Sequence, residues 1–271
     1  MRRTGIYFMI LGIIILNTHV FAQKQKVIWA GEPGGLKIET SDRGHMDLMF
    51  SLSGFYFEKE TTPGGSFERI RVNGYAHSSI PGLPELPVLN KLIEIPDGTT
   101  PLIHIVSLKT RRISLKNYGI QNQVYPVQPS VSKRGQQDRQ KFFYQTKQYQ
   151  KDTLFGEEPV LLKSTGIMRG RKLSVLTFSP FRYNPLKNEL KVITRMEVTI
   201  EFNPNKTMGG QTYAKYNTKS FEPVFSKVLN SLAQDISPLS AQPIKYVILS
   251  DSSFRDALQP FIRKKRGKDI K

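Results

Sequence analysis

The chain has 271 residues, with 40 lysines and arginines against 22 aspartates and glutamates, a formal charge of +18 and no cysteine. Without a thiol it performs no cysteine-nucleophile chemistry, forms no disulfide and holds no metal through thiolate, so its fold must rest on burial and hydrogen bonding. The basic residues are spread among acids along the whole length and no RNA- or DNA-binding signature accompanies them, so no nucleic-acid partner is expected.

Arg2 and Arg3 precede an apolar run over residues 5–16, and Val20, Phe21 and Ala22 stand where signal peptidase reads. This pattern predicts export with cleavage between Ala22 and Gln23, to a periplasmic or extracellular location. The run is shorter than the roughly 20 residues that span a bilayer, so cleavage is expected in place of anchoring, with no membrane association afterwards.

From Val27 to Phe202 the pattern is that of short strands, expected over residues 45–52, 55–59, 102–108, 160–167, 172–181 and 190–202. The last is the clearest: Leu190, Val192, Thr194, Met196, Val198, Ile200 and Phe202 alternate with Lys191, Arg195, Glu197, Thr199 and Glu201, and Ile193 is the break. Turn-forming residues over 183–188 join it to the 172–181 segment as an expected hairpin. Pro81, Pro84 and Pro87 fall three apart, as along one edge of a polyproline II segment. They suit either a ligand for an aromatic groove or a stiff crossover into the apolar strand of Val88, Leu89, Leu92, Ile93 and Ile95. The fold class expected is mainly β, an antiparallel sandwich or barrel.

Asn203, Pro204, Asn205, Gly209 and Gly210 mark a boundary or long loop, after which Phe221, Val224, Phe225, Val228, Leu229 and Leu232 recur at helical spacing. With Pro223 in a first turn, they predict a short amphipathic helix that caps the sheet. Residues 237–243 read as a protease-sensitive linker. Beyond it, Tyr246, Val247, Ile248 and Leu249 predict a buried parallel strand. Asp251, Ser252 and Ser253 then predict an N-cap for a helix carrying Phe254, Ala257, Leu258, Phe261 and Ile262, with Pro260 expected to bend it. One βα unit has no parallel neighbour, so the chain reads as cut short within a second domain.

Few residues suggest chemistry. His45, His77 and His104 are isolated in sequence, with no paired carboxylate or second histidine at metal-ligand spacing, and Asp251 suits a helix cap better than an active group. No phosphate loop or nucleotide fingerprint occurs, so no catalytic residue, metal or cofactor is expected.

Several stretches, in order, resemble the prodomain of gingipain-type, caspase-like cysteine peptidases. They are residues 82–89 (GLPELPVL), Ile95 with Pro96, 126–130 (PVQPS), 166–170 (GIMRG) and 180–185 (PFRYNP). The resemblance implies a signal peptide over 1–22, a β-sandwich prodomain over 23–235, a linker over 236–244 and the truncated start of a catalytic domain over 245–271. It also implies a mechanism: such prodomains cover the catalytic cleft of their peptidase, in cis or in trans, and insert a loop with a basic side chain into the specificity pocket. Here that loop follows Pro126 to Ser130 and holds Lys133, Arg134, Arg139 and Lys141; Lys133 and Arg134 are nearest the matching position. A basic side chain suits a pocket ending in a carboxylate. The family's catalytic histidine and cysteine would fall beyond the equivalent of Lys271, so none is carried over. Three roles are open: the amino-terminal part of a peptidase zymogen serving as latency plug and folding aid, a free-standing secreted inhibitor, and a β adhesion or structural module.

Overall fold

A computed structural model describes residues 25–28, 34–130, 141–205, 221–231 and 247–266. Among the described residues twelve strands are formed: β1 (Gln25–Ile28), β2 (Gly35–Ser41), β3 (His45–Ser51), β4 (Gly54–Thr62), β5 (Gly65–Arg71), β6 (Ala76–His77), β7 (Pro87–Ile95), β8 (Thr99–Ser114), β9 (Val160–Met168), β10 (Arg171–Phe178), β11 (Phe181–Asn184) and β12 (Glu189–Pro204). They pair antiparallel into three sheets, ordered β1-β4-β5, β6-β7-β10-β9 and β11-β12-β3-β2, with β8 on the free side of β12. The mainly β, antiparallel reading holds.

β12 is the spine of the largest sheet. Its residues 189–192 pair with β11 and 195–201 with β3, while β8 follows the opposite edge from Ser114 to Thr99. Its alternation puts Leu190, Val192, Met196, Val198, Ile200 and Phe202 into the core against Met46, Leu48 and Phe50 of β3. The break at Ile193 is a bulge: the β8 register shifts between Ile193 and Arg195, which lets Ile193 follow Val192 inward. One apolar core joins all three sheets, with Phe50 stacked on Phe178 at 5.4 Å and Phe55 edge-on to Phe181 at 5.1 Å.

The expected hairpin of 172–181 with 190–202 is corrected. The chain changes sheets at Ser179 and Pro180. Ser179 N still donates to Pro159 O (2.9 Å) in the β9–β10 layer, whereas Pro180 O accepts Ile193 N (2.8 Å) from the other layer. Proline has no N–H to place in a ladder, so the crossing falls where no bond is lost. The partner of β12 in the hairpin is therefore β11, closed by a turn with Asn188 at φ 52°. The three prolines do not share a polyproline edge either, because Gly82 sits at φ 79° and turns the chain between them. The stretch is a crossover.

The amphipathic helix expected from Phe221 onward is a single turn, α2 (Glu222–Phe225), if the turn α1 (Thr146–Tyr149) is counted first. The chain then extends along β7: Val228 bridges Leu92 in parallel, and Leu229 N donates to Leu92 O at 2.9 Å. Asn230 copies a strand residue with its side chain, accepting Glu94 N (2.7 Å) and donating to Glu94 O (2.8 Å). Phe225 and Val228 are buried on Leu173, so this strap does cap a sheet, and Leu232 lies outside the described residues.

Of the strand expected over 246–249, Tyr246 lies outside the described residues and residues 247–249 are not in a strand. Residues 247–250 have no ladder partner among the described residues, and Val247 and Leu249 are 83% and 99% exposed. An apolar parallel strand requires neighbours on its edges. Asp251 does cap the following turn, accepting from Ser253 N at 2.9 Å, and α3 (Arg255–Arg266) continues through Pro260. No helix among the described residues is long and apolar enough to cross a membrane.

Candidate functional site

Residues 122–130 leave the core between two backbone neighbours. On one side Glu68 N donates to Gln123 O and Tyr125 N to Glu68 O, both at 2.9 Å. On the other, Glu85 N donates to Tyr125 O (2.8 Å), Val127 N to Leu83 O (2.9 Å) and Gly82 N to Val127 O (2.8 Å). The turn at Gly82 thus serves to lay residues 82–85 against this outgoing stem.

The returning stem begins at Lys141 and is held by aromatic packing. Phe142 lies 5.4 Å from Phe67 and 6.0 Å from Tyr125, and Tyr144 lies 5.4 Å from Phe67 and 4.6 Å from Tyr149, centroid to centroid. Tyr144 Oη donates to Gln123 Oε1 at 2.8 Å and Gln145 Nε2 to Pro81 O at 2.8 Å. The Gln128 side chain joins the two stems at Phe143. A basic ten-residue segment, 131–140, therefore starts and ends on one fixed platform.

A charged cluster stiffens the platform from below. Arg69 lies 3.5 Å over the Tyr125 ring, donates to Glu85 (2.7 Å) and Glu60 (3.3 Å), and shares Glu85 with Arg71 (3.7 Å). Burial opposes the Arg69 charge, but Glu85, Tyr125 and Glu60 together raise its pKa; burial pushes the Tyr125 phenol up. Arg71 Nη1 meets His77 Nε2 at 2.9 Å, which requires that nitrogen to accept from the guanidinium. Burial first, and the cations of Arg71 and Arg69 against the opposing pull of Glu85, lower the His77 pKa.

The histidines are less isolated than their sequence positions suggest. His77 approaches Glu85, His104 Nε2 lies 3.8 Å from Glu201 across β8 and β12, and His45 Nδ1 lies 3.0 Å from Asp42. Strand pairing brings Glu201 to His104 from 97 positions away, whereas Asp42 reaches His45 within one tight turn, three residues on. Asp42, His45 and Thr40 resemble a hydrolytic triad, with His45 Nε2 3.4 Å from Thr40 Oγ1. The hydroxyl proton is already given to Asp47, so Thr40 is not an activated nucleophile. Asp42 is lowered by the backbone N–H groups of His45 and Gly44, and Asp47 by the hydroxyls of Thr199 and Thr40, which marks a capped turn and a cross-strand network. No group of three or more carboxylates and histidines among the described residues is disposed to hold a metal ion.

Of the residues singled out from sequence, Lys133, Arg134, Ala22 and Gln23 lie outside the described residues, and Lys141 is exposed where the second stem begins. Gln128, Phe142 and Gln145 were not singled out. A glutamine flanked by Pro126 and Pro129, where backbone donors are scarce, is the signal that could have pointed to the first.

The family model Propeptide_C25 matches residues 25–229. The chain belongs to the C25 propeptide family. Curated relatives of this propeptide include Lys-gingipain of Porphyromonas gingivalis, 26% identical over 96% of the chain, and gingipain R1 of the same organism, 23% identical over 79%. The chain spans 15% of the length of that Lys-gingipain and 21% of that gingipain R1. Among solved structures, the C25 propeptide resembles one described as giving structural insight into the zymogenic latency of gingipain K. The TM-score is 0.64 and the identity 28%, over 67% of this chain and all of the other. The complex of Porphyromonas gingivalis RgpB pro- and mature domains shares the fold, with a TM-score of 0.58 at 20% identity over 73% of this chain and 98% of that one.

Proposed function

We propose that this C25 propeptide is the latency domain of an exported gingipain-type cysteine peptidase. It covers the catalytic cleft and offers a basic side chain of the 131–140 segment, Lys133 or Arg134, to the specificity pocket. The observation that carries this reading is the platform: both stems of a basic segment are hydrogen-bonded to each other and to the β5 and 81–85 backbone, which lowers the ordering cost of binding. Family membership and the latency described for the gingipain K structure support it. The chain has no cysteine and so does not supply the thiol of a cysteine peptidase; its part in this reading is to exclude substrate.

In the same reading, residues 1–22 direct export with cleavage between Ala22 and Gln23, residues 23–235 form the propeptide, 236–244 are a linker and 245–271 begin the catalytic domain. The test is inhibition of Lys-gingipain and of gingipain R1 by the purified chain beginning at Gln23, compared with Lys133→Ala, Arg134→Ala and the double variant. The single variant that loses about 100-fold identifies the anchor, since a charge-assisted pair out of water is of that order. Unchanged inhibition in the double variant rejects the plug.

A further inference from the structure

Two stretches of chain that bracket residues 131–140 are joined by one side chain. Gln128 Nε2 donates to Phe143 O at 2.9 Å, and Gln128 Oε1 accepts Phe143 N at 2.9 Å. These are the two bonds that a strand residue exchanges with its antiparallel neighbour. The second Nε2 hydrogen goes to Pro126 O, also at 2.9 Å, so both donors and the acceptor of the amide are engaged.

The flanking residues explain why a side chain takes this place. Pro126 and Pro129 have no N–H, and Val127 already gives its N–H to Leu83 O and its carbonyl to Gly82 N. A continuous backbone ladder between the stems is therefore interrupted on the outgoing side. Gln128 supplies a peptide-like amide instead, reaching a residue 15 positions away. Phe143, the residue it captures, lies partly in solvent at 41% exposed, with its ring beside Gly82, while Phe142 and Tyr144 on either side pack inward.

We propose that Gln128 is the positioning residue of the latency device: by tying its own segment to Phe143 it fixes the spacing of the two described stems, ending at Ser130 and beginning at Lys141, that bracket the basic residues. This rests on the latency reading above. Gln128 acts through the segment, by removing stem freedom that binding would otherwise have to remove.

The experiment uses the chain from Gln23 with Gln128→Leu, which loses all three bonds, and Gln128→Glu, which keeps the acceptor and loses both donors. Gln121→Leu, at an exposed position on the same segment, is the control. Hydrogen exchange at the Phe143 amide, trypsin cleavage within 131–141, the thermal midpoint and inhibition of Lys-gingipain are measured on each. Losing the Phe143 bond is expected to accelerate its exchange about tenfold or more, speed trypsin cleavage, and weaken inhibition about tenfold, with the thermal midpoint nearly unchanged. Gln128→Leu is expected to exceed Gln128→Glu at the Phe143 amide. Unchanged Phe143 exchange, or faster exchange with unchanged inhibition, overturns the positioning role. A wild-type chain that does not inhibit, with Phe143 still responding to Gln128→Leu, overturns the latency reading while the clamp stands.

Discussion

Replacing Arg171 by methionine tests how the strap is held. Arg171 and Glu94 are each 4% exposed, and Arg171 Nε donates to Glu94 Oε1 at 2.9 Å while its Nη2 reaches the other carboxylate oxygen. The same guanidinium lies 4.1 Å over the Phe225 ring and donates to Ser231 Oγ at 3.0 Å, so one side chain ties β10, β7 and the 221–231 strap together. Methionine keeps much of the volume and can still pack on Phe225, so the loss isolates the charge. Glu94 is then left buried beside Asp97, whose own pKa is raised by burial and by Glu94. Removing one partner of a buried ion pair costs about 3–5 kcal/mol, whereas replacing both by apolar residues is far closer to neutral. Urea denaturation should therefore show Arg171→Met destabilised by about 3–5 kcal/mol and the double variant Arg171→Met with Glu94→Leu recovering much of it. Exchange at the Leu229 amide, bonded to Leu92 O, should rise in the single variant. A single variant within about 1 kcal/mol of wild type, or a double variant no more stable than the single, would refute the reasoning.

Three further outcomes follow from the core and the platform. Phe178→Ala removes a fully buried ring stacked on Phe50 and should cost about 3–5 kcal/mol by chemical denaturation. Tyr149→Phe leaves Val124 O without the 2.9 Å bond from the phenol at the root of the outgoing stem. It should cost about 1–3 kcal/mol, with faster exchange at Tyr125 and Val127. The His77 pKa is lowered, so its contribution is complete above the unfolded value of about 6.5 and is lost as pH falls below it. Denaturation midpoints of wild type should decline from pH 7.5 to 5.5 more steeply than those of His77→Gln, and parallel slopes would contradict the placement of His77 between Arg71 and Glu85.

What the sequence made legible follows the physics of half-buried strands. β12 stood out because one face meets the core and the other meets water, and even its bulge was visible as the break at Ile193. β8 was seen only in part, because it runs along an edge with most side chains exposed, including Leu102, Val106 and Leu108, and so has no sharp alternation. The sheet change at Ser179 and Pro180 was hidden because ladder partners are chosen over long range. The strap was read as a helix because Phe225, Val228 and Leu229 are spaced alike whether they turn or extend over a buried face. At the site, the basic residues were plain in the sequence, but their mounting was not: Gln145 finds Pro81 O 64 residues earlier. Such contacts exist only once the sheets have assembled.

The most direct test of the account is the reactivity of the peptidase's own active-site thiol. Lys-gingipain should be treated with a small alkylating reagent with and without a stoichiometric excess of the purified chain from Gln23, and labelling of its catalytic cysteine followed by mass spectrometry. Occupation of the cleft by this C25 propeptide predicts slowed alkylation, restored when Lys133 and Arg134 are both alanine. A chain that binds the peptidase while the thiol is alkylated at its free rate would contradict the claim that the propeptide enforces latency by covering the catalytic centre.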